Sequence, residues 1–168
     1  MHRTLFAMLF PLITVTICYG QTAVEWADRG DTKRVNSDYR GAIADCSKAI
    51  ELDPTLAAAY YTRGDAKRML QDYRGAMGDL NKAIELDPTF AMAYFTRGDA
   101  KRMIEDDRGA VADCNKAIEL DPTFASAYCT RGLSKISMGQ KHGGCLDLSK
   151  AGELGYERAY DAIKEFCK

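Results

Sequence analysis

Histidine is almost absent from this sequence. Two occur in 168 residues, and His142 is the only one beyond residue 20. Nucleophilic catalysis needs a base beside the nucleophile, and zinc sites draw on clustered histidine and cysteine. No Cys-x-x-Cys pair occurs either. The sequence therefore shows no catalytic triad, thiol redox pair or metal site, and we expect no enzymatic activity, no cofactor and no bound metal.

Basic runs and flexible linkers are also lacking. One of the 23 basic residues, Arg3, lies within the first twenty positions, which leaves 22 basic against 24 acidic residues. Without a polybasic stretch, neither nucleic acid nor anionic lipid is an expected partner. No Gly/Ser-rich or Pro-rich linker interrupts residues 21–168, so we expect a single domain there.

The first twenty residues differ from the rest. Arg3 precedes an apolar run from Leu5 to Tyr19, which is short for a membrane span of about 20 residues. Small residues before Gln21 complete the pattern of a cleaved secretory signal at 1–20. This predicts export to a periplasm or the medium, without membrane insertion after cleavage. A retained membrane anchor and a lipoprotein signal ending at Cys18 are the alternatives.

The sequence is rich in self-similarity. Residues 57–90 and 91–124 are identical at 26 of 34 positions. Asp-Pro steps at 53–54, 87–88 and 121–122 set the phase, giving units at about 23–56, 57–90 and 91–124 and a looser one at 125–156. Each unit holds two apolar-periodic segments of helical length. One helix hairpin cannot bury its apolar face alone, so neighbouring units must stack.

The same kinds of residue return at fixed positions of the unit. Position 4 is aromatic, positions 8, 20 and 27 are small, and proline stands at position 32; the second unit has Tyr60, Gly64, Ala76, Ala83 and Pro88. This pattern resembles the tetratricopeptide repeat (TPR), in an exported bacterial form. The resemblance implies an all-α, right-handed superhelical solenoid of antiparallel helix hairpins, with three regular units and a degenerate fourth. We predict that residues 157–167 form a capping helix over the last unit.

Arginine at position 7 and aspartate at position 23 also recur in every unit. These positions lie near each other in an antiparallel pair, so we expect one ion pair inside each hairpin. We interpret the pairs as fixing helix register, at about 0–1 kcal/mol each for exposed pairs. A polar stripe that binds ligand is the alternative. The expected pairs are Arg29–Asp45, Arg63–Asp79, Arg97–Asp113 and Arg131–Asp147.

Five cysteines follow residue 20, and disulfides are expected in an oxidising compartment. The second helix of one unit runs antiparallel to the first helix of the next, so contacting positions sum to about 29–30. This register pairs Cys145 with Cys167, which would join the capping helix to the last unit. It also offers a bond between Cys114 and Cys129. We interpret Cys46 as a small buried residue.

The first helices line the concave face in proteins that this chain resembles, and ligands are held there by positions 2, 5, 6, 9, 12 and 13. In this sequence those positions combine aromatic and methionine side chains with Asp–Arg couples. The couples can pair internally or split to bind both charges of a peptide. Solvated ion pairs with scattered apolar neighbours are the alternative. The candidate groove residues are Asp31, Arg34, Tyr61, Asp65, Arg68, Met69, Met92, Phe95, Asp99, Arg102 and Met103.

One family function does not fit these residues. Cochaperone members clamp the C-terminal carboxylates of cytosolic chaperones with lysine, asparagine and arginine. The matching positions here hold Ala27, Asp31, Thr62, Met92 and Thr96. None of these residues supplies the required charge or amide.

The sequence thus favours a non-catalytic scaffold that binds a peptide or protein partner in its concave groove. The alternative is an architectural subunit of an envelope or secretion assembly, contacting its neighbours through the convex face and edges. An enzyme with paired carboxylates ranks third, because the aspartates are better explained as repeat-periodic ion-pair partners. A solenoid with a capped end is expected to be monomeric.

Overall fold

A computed structural model describes residues 21–168, which contain nine α-helices and no strand in that range. The predicted secretory signal at 1–20 lies outside the described residues. Eight helices form four consecutive hairpins, and the ninth follows the last of them. They are α1 (Ala23–Val35), α2 (Tyr39–Leu52), α3 (Ala57–Met69), α4 (Tyr73–Leu86), α5 (Ala91–Met103), α6 (Asp107–Leu120), α7 (Ala125–Ser137), α8 (Lys141–Glu153) and α9 (Arg158–Phe166).

The second helix of each of the first three hairpins begins at a capping aspartate and ends just before an Asp-Pro step, as α4 shows. Asp72 caps α4, because its Oδ1 accepts a hydrogen bond from the Gly75 amide at 3.0 Å. The helix ends at Leu86, just before the Asp87-Pro88 step. Asp87 Oδ1 then accepts from the Thr89 amide at 2.9 Å and the Thr89 hydroxyl at 2.7 Å. The first and third hairpins repeat this arrangement, so the chain turns in the same way each time.

Small residues let the two helices of a hairpin approach closely. A Cβ on Gly98 would lie 3.2 Å from both the Ala110 carbonyl oxygen and Asp113 Cβ. Position 20 of the same hairpin is Ala110, which is fully buried. The large buried side chain beside these small residues comes from position 24, occupied by Cys46, Leu80, Cys114 and Leu148.

Neighbouring hairpins stack in sequence order. The second helix of each unit contacts the first helix of the next, and α8 contacts α9. The first helices also contact one another along the row α1, α3, α5 and α7. The predicted all-α solenoid of helix hairpins is confirmed, and the row of first helices gives it one continuous face, called here the concave groove.

The Arg–Asp pairs within hairpins are present in all four units. In the third, Arg97 Nη2 lies 2.6 Å from Asp113 Oδ1 and Nε lies 2.9 Å from Oδ2. The sequence predicted that these pairs are exposed, and for the aspartate this prediction is wrong. The Asp113 side chain is only 7% exposed, and Lys101 supplies it with a second cation at 2.9 Å. Burial makes this cluster more sensitive to loss of a partner than an exposed pair would be.

The same arginines also join adjacent units. Arg97 Nη1 donates to Asn81 Oδ1 of the preceding hairpin at 2.7 Å, and its guanidinium lies over the Tyr94 ring at 5.5 Å. Arg131 repeats the bond with Asn115 at 2.7 Å. Each of these arginines therefore fixes both the register of its own hairpin and the stacking on the previous one.

The five cysteines of residues 21–168 divide into one disulfide and three free thiols. Cys145 and Cys167 form a disulfide with a Cα–Cα distance of 5.7 Å, which ties the end of α9 to α8. The suggested bond between Cys114 and Cys129 is not formed, and both are buried free thiols, as is Cys46. The reason is their direction. Cys114 Sγ packs toward Gly98 of its own hairpin, whereas Cys129 belongs to a cluster with residues of α8 and α9.

Candidate functional site

A rail of alternating acidic and basic side chains crosses three first helices. Arg68 donates through Nη2 to Asp65 at 2.7 Å in its own helix, and through Nη1 to Asp99 at 3.0 Å in the next unit. Arg34 is placed equivalently between Asp31 and Asp65, at 2.9 and 3.1 Å. We call this series the Asp–Arg rail; its members are Asp31, Arg34, Asp65, Arg68, Asp99 and Arg102.

The rail accounts for the predicted Asp–Arg couples. They pair internally at i,i+3, and they also bridge between units, which the sequence had not indicated. Burial alone lowers the pKa of Arg68, but the carboxylates of Asp65 and Asp99 outweigh burial and raise it. Each Asp–Arg couple is therefore paired inside the protein, and its charges are not available to bind a ligand. Most of the rail thus holds the first helices in position, with its charges neutralised.

The two aromatic residues predicted to line the groove, Tyr61 and Phe95, each pack partly against another aromatic ring. The Tyr61 ring lies 4.8 Å from the Phe90 ring, and the Phe95 ring lies 4.9 Å from the Phe124 ring. Burial raises the pKa of Tyr61 to about 12. Each aromatic residue thus contacts the last residue of its own unit, which directly precedes the first helix of the next, and only part of its surface faces the groove.

Methionines supply the open apolar surface. Met69 is 44% exposed and Met103 is 47% exposed. Each follows a rail arginine and receives a contact from it: Arg68 Nη2 lies 3.3 Å from Met69 Sδ, and Arg102 Nη2 lies 3.4 Å from Met103 Sδ. Flexible thioethers next to neutralised charges make a surface that adapts to varied partners.

Met92 lies apart from this set. It lines an open cavity of about 580 Å³ at the loop edge of the third and fourth units, together with Phe90, Phe124 and Tyr156. The predicted groove residues are therefore not all brought together. Met92 faces the loops, whereas Arg68, Met69, Phe95, Asp99 and Arg102 line a second cavity within the groove.

That second cavity has a volume of about 440 Å³ and lies where the groove meets the capping helix. We call it the terminal pocket. Five of its residues are candidates predicted from the sequence, three more stand at groove positions 5, 6 and 9 of the fourth unit, and the contribution of Tyr156 and α9 was missed. The amphipathic pattern of 157–167 predicted a helix there, but nothing in that pattern indicated which residues would face the groove. The fourth unit supplies Cys129, Thr130 and Leu133, and the residues not predicted are Tyr156, Arg158 and Ala162.

Within residues 21–168, no group of three or more His, Cys, Asp or Glu side chains is arranged to hold a metal ion. No helix in the same range combines the length and the apolar character needed to cross a bilayer.

Comparisons with known proteins agree with this architecture. A family profile described as the tetratricopeptide repeat matches residues 57–90. The crystal structure of MamA protein is 31% identical in sequence with a TM-score of 0.74, and the match covers 84% of this chain and 78% of that one. No curated protein sequence matches the chain.

Two more distant structures share the fold. MamA from Desulfovibrio magneticus RS-1, spanning residue 41 to the end, is 23% identical with a TM-score of 0.71, over 83% of this chain and 77% of that one. The first TPR of Spaghetti (RPAP3), solved bound to the HSP90 peptide SRMEEVD, is 24% identical with a TM-score of 0.68, over 71% and 94%.

Proposed function

This chain belongs to the tetratricopeptide repeat family, and from that premise we propose that it is an exported scaffold that holds a peptide or protein segment in its concave groove. Proteins built from this repeat generally act as non-catalytic scaffolds for protein partners. The finer assignment to the groove is supported by one observation above the others: exposed methionines flank a neutralised Asp–Arg rail along a continuous face.

The groove suits a segment bound by many weak contacts. Met69 and Met103 lie one repeat apart and present equivalent surfaces, so two similar subsites stand side by side. Repeated apolar contacts give affinity without demanding one sequence. We infer a partner that carries an extended or helical segment with apolar side chains at regular spacing.

The chaperone-peptide mode of the RPAP3 domain is not proposed for this chain. Ala27, Thr62 and Met92 stand at three of the positions where the family clamp uses charged or amide side chains. None of these residues offers the cationic or amide group that the clamp uses. A partner must therefore be recognised through other contacts.

Affinity capture with charge-introducing variants tests the groove. Met69→Glu combined with Met103→Glu places two carboxylates on the exposed apolar surface, where desolvation opposes binding. Leu146→Glu is the matched control, because Leu146 is 59% exposed on α8 and second helices lie away from the groove. We expect the groove variant alone to lose its partner. Circular dichroism verifies that both variants fold.

The architectural alternative predicts the opposite pattern. If the groove variant captures the partner as well as the unchanged protein does, groove binding is refuted. A partner lost from the Leu146→Glu variant alone would assign binding to the convex face. This would favour a subunit that contacts its neighbours in an envelope or secretion assembly.

Export is the second part of the proposal. It is supported by the apolar run from Leu5 to Tyr19 and by the Cys145–Cys167 disulfide, a bond typical of oxidising compartments. We expect mass spectrometry of the protein recovered from its native cell to find Gln21 at the amino terminus, in an extracytoplasmic fraction. A protein that starts at Met1 in the cytosolic fraction would contradict export.

A further inference from the structure

The Asp–Arg rail ends with an incompletely paired arginine. Arg34 and Arg68 each bond to two aspartates, one in their own helix and one in the next unit. Arg102 has a single acidic partner within residues 21–168, Asp99, at 3.4 Å. The reason is a substitution in the repeat: the position held by Asp65 and Asp99 in the middle units is Leu133 in the fourth.

Part of the Arg102 side chain lacks any hydrogen-bond acceptor. Its Nε is buried and has no partner in the described residues. A buried donor without an acceptor costs about 1–3 kcal/mol, and more when it carries charge. Such a group calls for an explanation, and an ion that supplies the missing acceptor is one of those known from other structures. Arg102 also lines the terminal pocket, so its incompletely paired guanidinium borders a space that an external anion can enter.

A second cation faces the same space. Arg158 of α9 lines the terminal pocket with Arg102 and makes no ion pair within residues 21–168. Both guanidiniums also act on Cys129: burial raises the pKa of this thiol, and the positive charges of Arg102 and Arg158 oppose that shift. The only carboxylate that lines the pocket, Asp99, is already shared by Arg68 and Arg102. The pocket thus carries an excess of positive charge.

The walls of the pocket define what else the anion must carry. Phe95, Leu133 and Ala162 contribute apolar surface beside the two guanidiniums. A free inorganic anion would leave this surface in contact with water, whereas a carboxylate attached to an apolar group would cover it. The volume of about 440 Å³ accommodates a group of that size.

We propose that the terminal pocket binds a carboxylate of the partner segment, with Arg102 and Arg158 as its two donors and an adjacent apolar group against Phe95 and Leu133. The proposal deepens the scaffold function and rests on it. The carboxylate comes either from a chain terminus or from an acidic side chain, since both present the same pair of oxygens to arginine. The Cys145–Cys167 disulfide anchors α9 and thereby holds Arg158 at the pocket.

The test is a titration followed by the ¹⁵N–¹H signals of the arginine Nε groups. N-acetyl-leucine presents a terminal carboxylate with an apolar side chain, and N-acetyl-glutamate α-amide presents a side-chain carboxylate. N-acetyl-leucinamide is the neutral control with the same shape as the first probe. We expect saturable shifts of the Arg102 and Arg158 signals with one or both acids and none with the amide. The probe that binds more tightly shows whether the carboxylate comes from a chain terminus or from an acidic side chain.

Two variants separate binding from folding. Arg158 is exposed, so Arg158→Gln removes the charge with little effect on packing and should weaken binding of the acid about tenfold, the size of one charge-assisted hydrogen bond. Arg102→Lys keeps the charge but loses the planar donor pair and should weaken binding to a similar degree. Exposed Arg108→Gln is the control and should bind as the unchanged protein does.

The outcomes distinguish this proposal from the scaffold function. Equal shifts with the acids and the neutral amide, or no shift with either acid, overturn the carboxylate site. Suppose that Arg158→Gln captures the partner undiminished while the variant with both Met69→Glu and Met103→Glu loses it. Groove binding is then supported and the carboxylate site in the terminal pocket is refuted. If neither set of variants loses the partner, the groove itself is refuted.

Discussion

Arg68 Nη1 lies 3.0 Å from Asp99 Oδ2, and this bond joins two successive repeats through residues that are 31 positions apart in the sequence. The same guanidinium holds Asp65 of its own helix at 2.7 Å. Each internal arginine of the rail therefore sets the spacing between two first helices. Within residues 21–168, the consequence is a groove whose charges are neutralised along the rail and in excess at the capped end, where Arg102 and Arg158 line the same pocket.

The buried Arg–Asp pairs are predicted to matter for stability. Arg97→Ala leaves the Asp113 carboxylate, 7% exposed, with Lys101 as its remaining cation. We expect a loss of about 3 kcal/mol in the free energy of unfolding, as for other broken buried pairs, measured by urea denaturation. The control Arg108→Ala, at an exposed position with no ion pair in residues 21–168, should change stability by less than about 0.5 kcal/mol. Equal effects would contradict the buried role.

A single hydroxyl is predicted to destabilise the fourth unit. Ser134 is fully buried and its Oγ has no hydrogen-bond partner in the described residues. Ala66 and Ala100 occupy the same repeat position and are also fully buried. Ser134→Ala should therefore raise the free energy of unfolding by about 1 kcal/mol. Exposed Ser149→Ala on α8 measures the separate gain in helix propensity, and an equal gain at both sites would refute the assigned cost of the hydroxyl.

Thiol labelling tests the cysteine assignments. Burial raises the pKa of Cys46 and of Cys114 to about 12, and Cys129 is also buried. Because the thiolate is the reactive form, we expect none of these three to react with a maleimide in the native protein, and all three to react in denaturant. Cys145 and Cys167 should react only after reduction. Labelling of Cys145 without reductant would contradict the disulfide.

Acid should destabilise the protein through its turn and register aspartates. The side-chain and backbone hydrogen bonds of Thr89 lower the pKa of Asp87 below the ordinary value of 3.8. The bond from Arg29 lowers the pKa of Asp45 in the same direction. A depressed folded-state pKa gives stability that is complete above the unfolded value and is lost as the pH falls through the folded value.

The thermal midpoint should therefore fall as the pH drops below 3.8. Thr89→Val removes the hydroxyl that donates to Asp87 and keeps the backbone donor, so its midpoint should depend less on pH in this window. A midpoint that holds steady or rises on acidification, or a variant with unchanged pH dependence, would contradict the assignment.

Repetition explains why the fold was predictable and part of the site was not. In the second unit the apolar periodicity alone predicts helices at about 57–70 and 74–86, and the structure has Ala57–Met69 and Tyr73–Leu86. Each cap, small residue and proline appears several times in phase, so weak local signals reinforce one another. Contacts inside one hairpin, such as Arg63–Asp79, follow directly from unit positions.

Contacts between successive first helices depend on a quantity that local spacing does not contain. The bond from Arg68 to Asp99 forms because of the rotation between successive hairpins, and no pattern within one unit specifies that angle. Arg158 lies beyond the repeat phase altogether. Its place in the terminal pocket follows from how α9 packs on α7 and α8, which tertiary structure alone determines.

The most direct test of the central claim is site-specific photo-cross-linking in the native cell. A photoreactive amino acid replaces Met69, in the groove, or Leu146, on α8 at the far side of the hairpin; both side chains are exposed. Groove binding predicts that a defined partner is cross-linked from position 69 and not from position 146. A partner cross-linked from position 146 alone would contradict the account and assign recognition to the convex face.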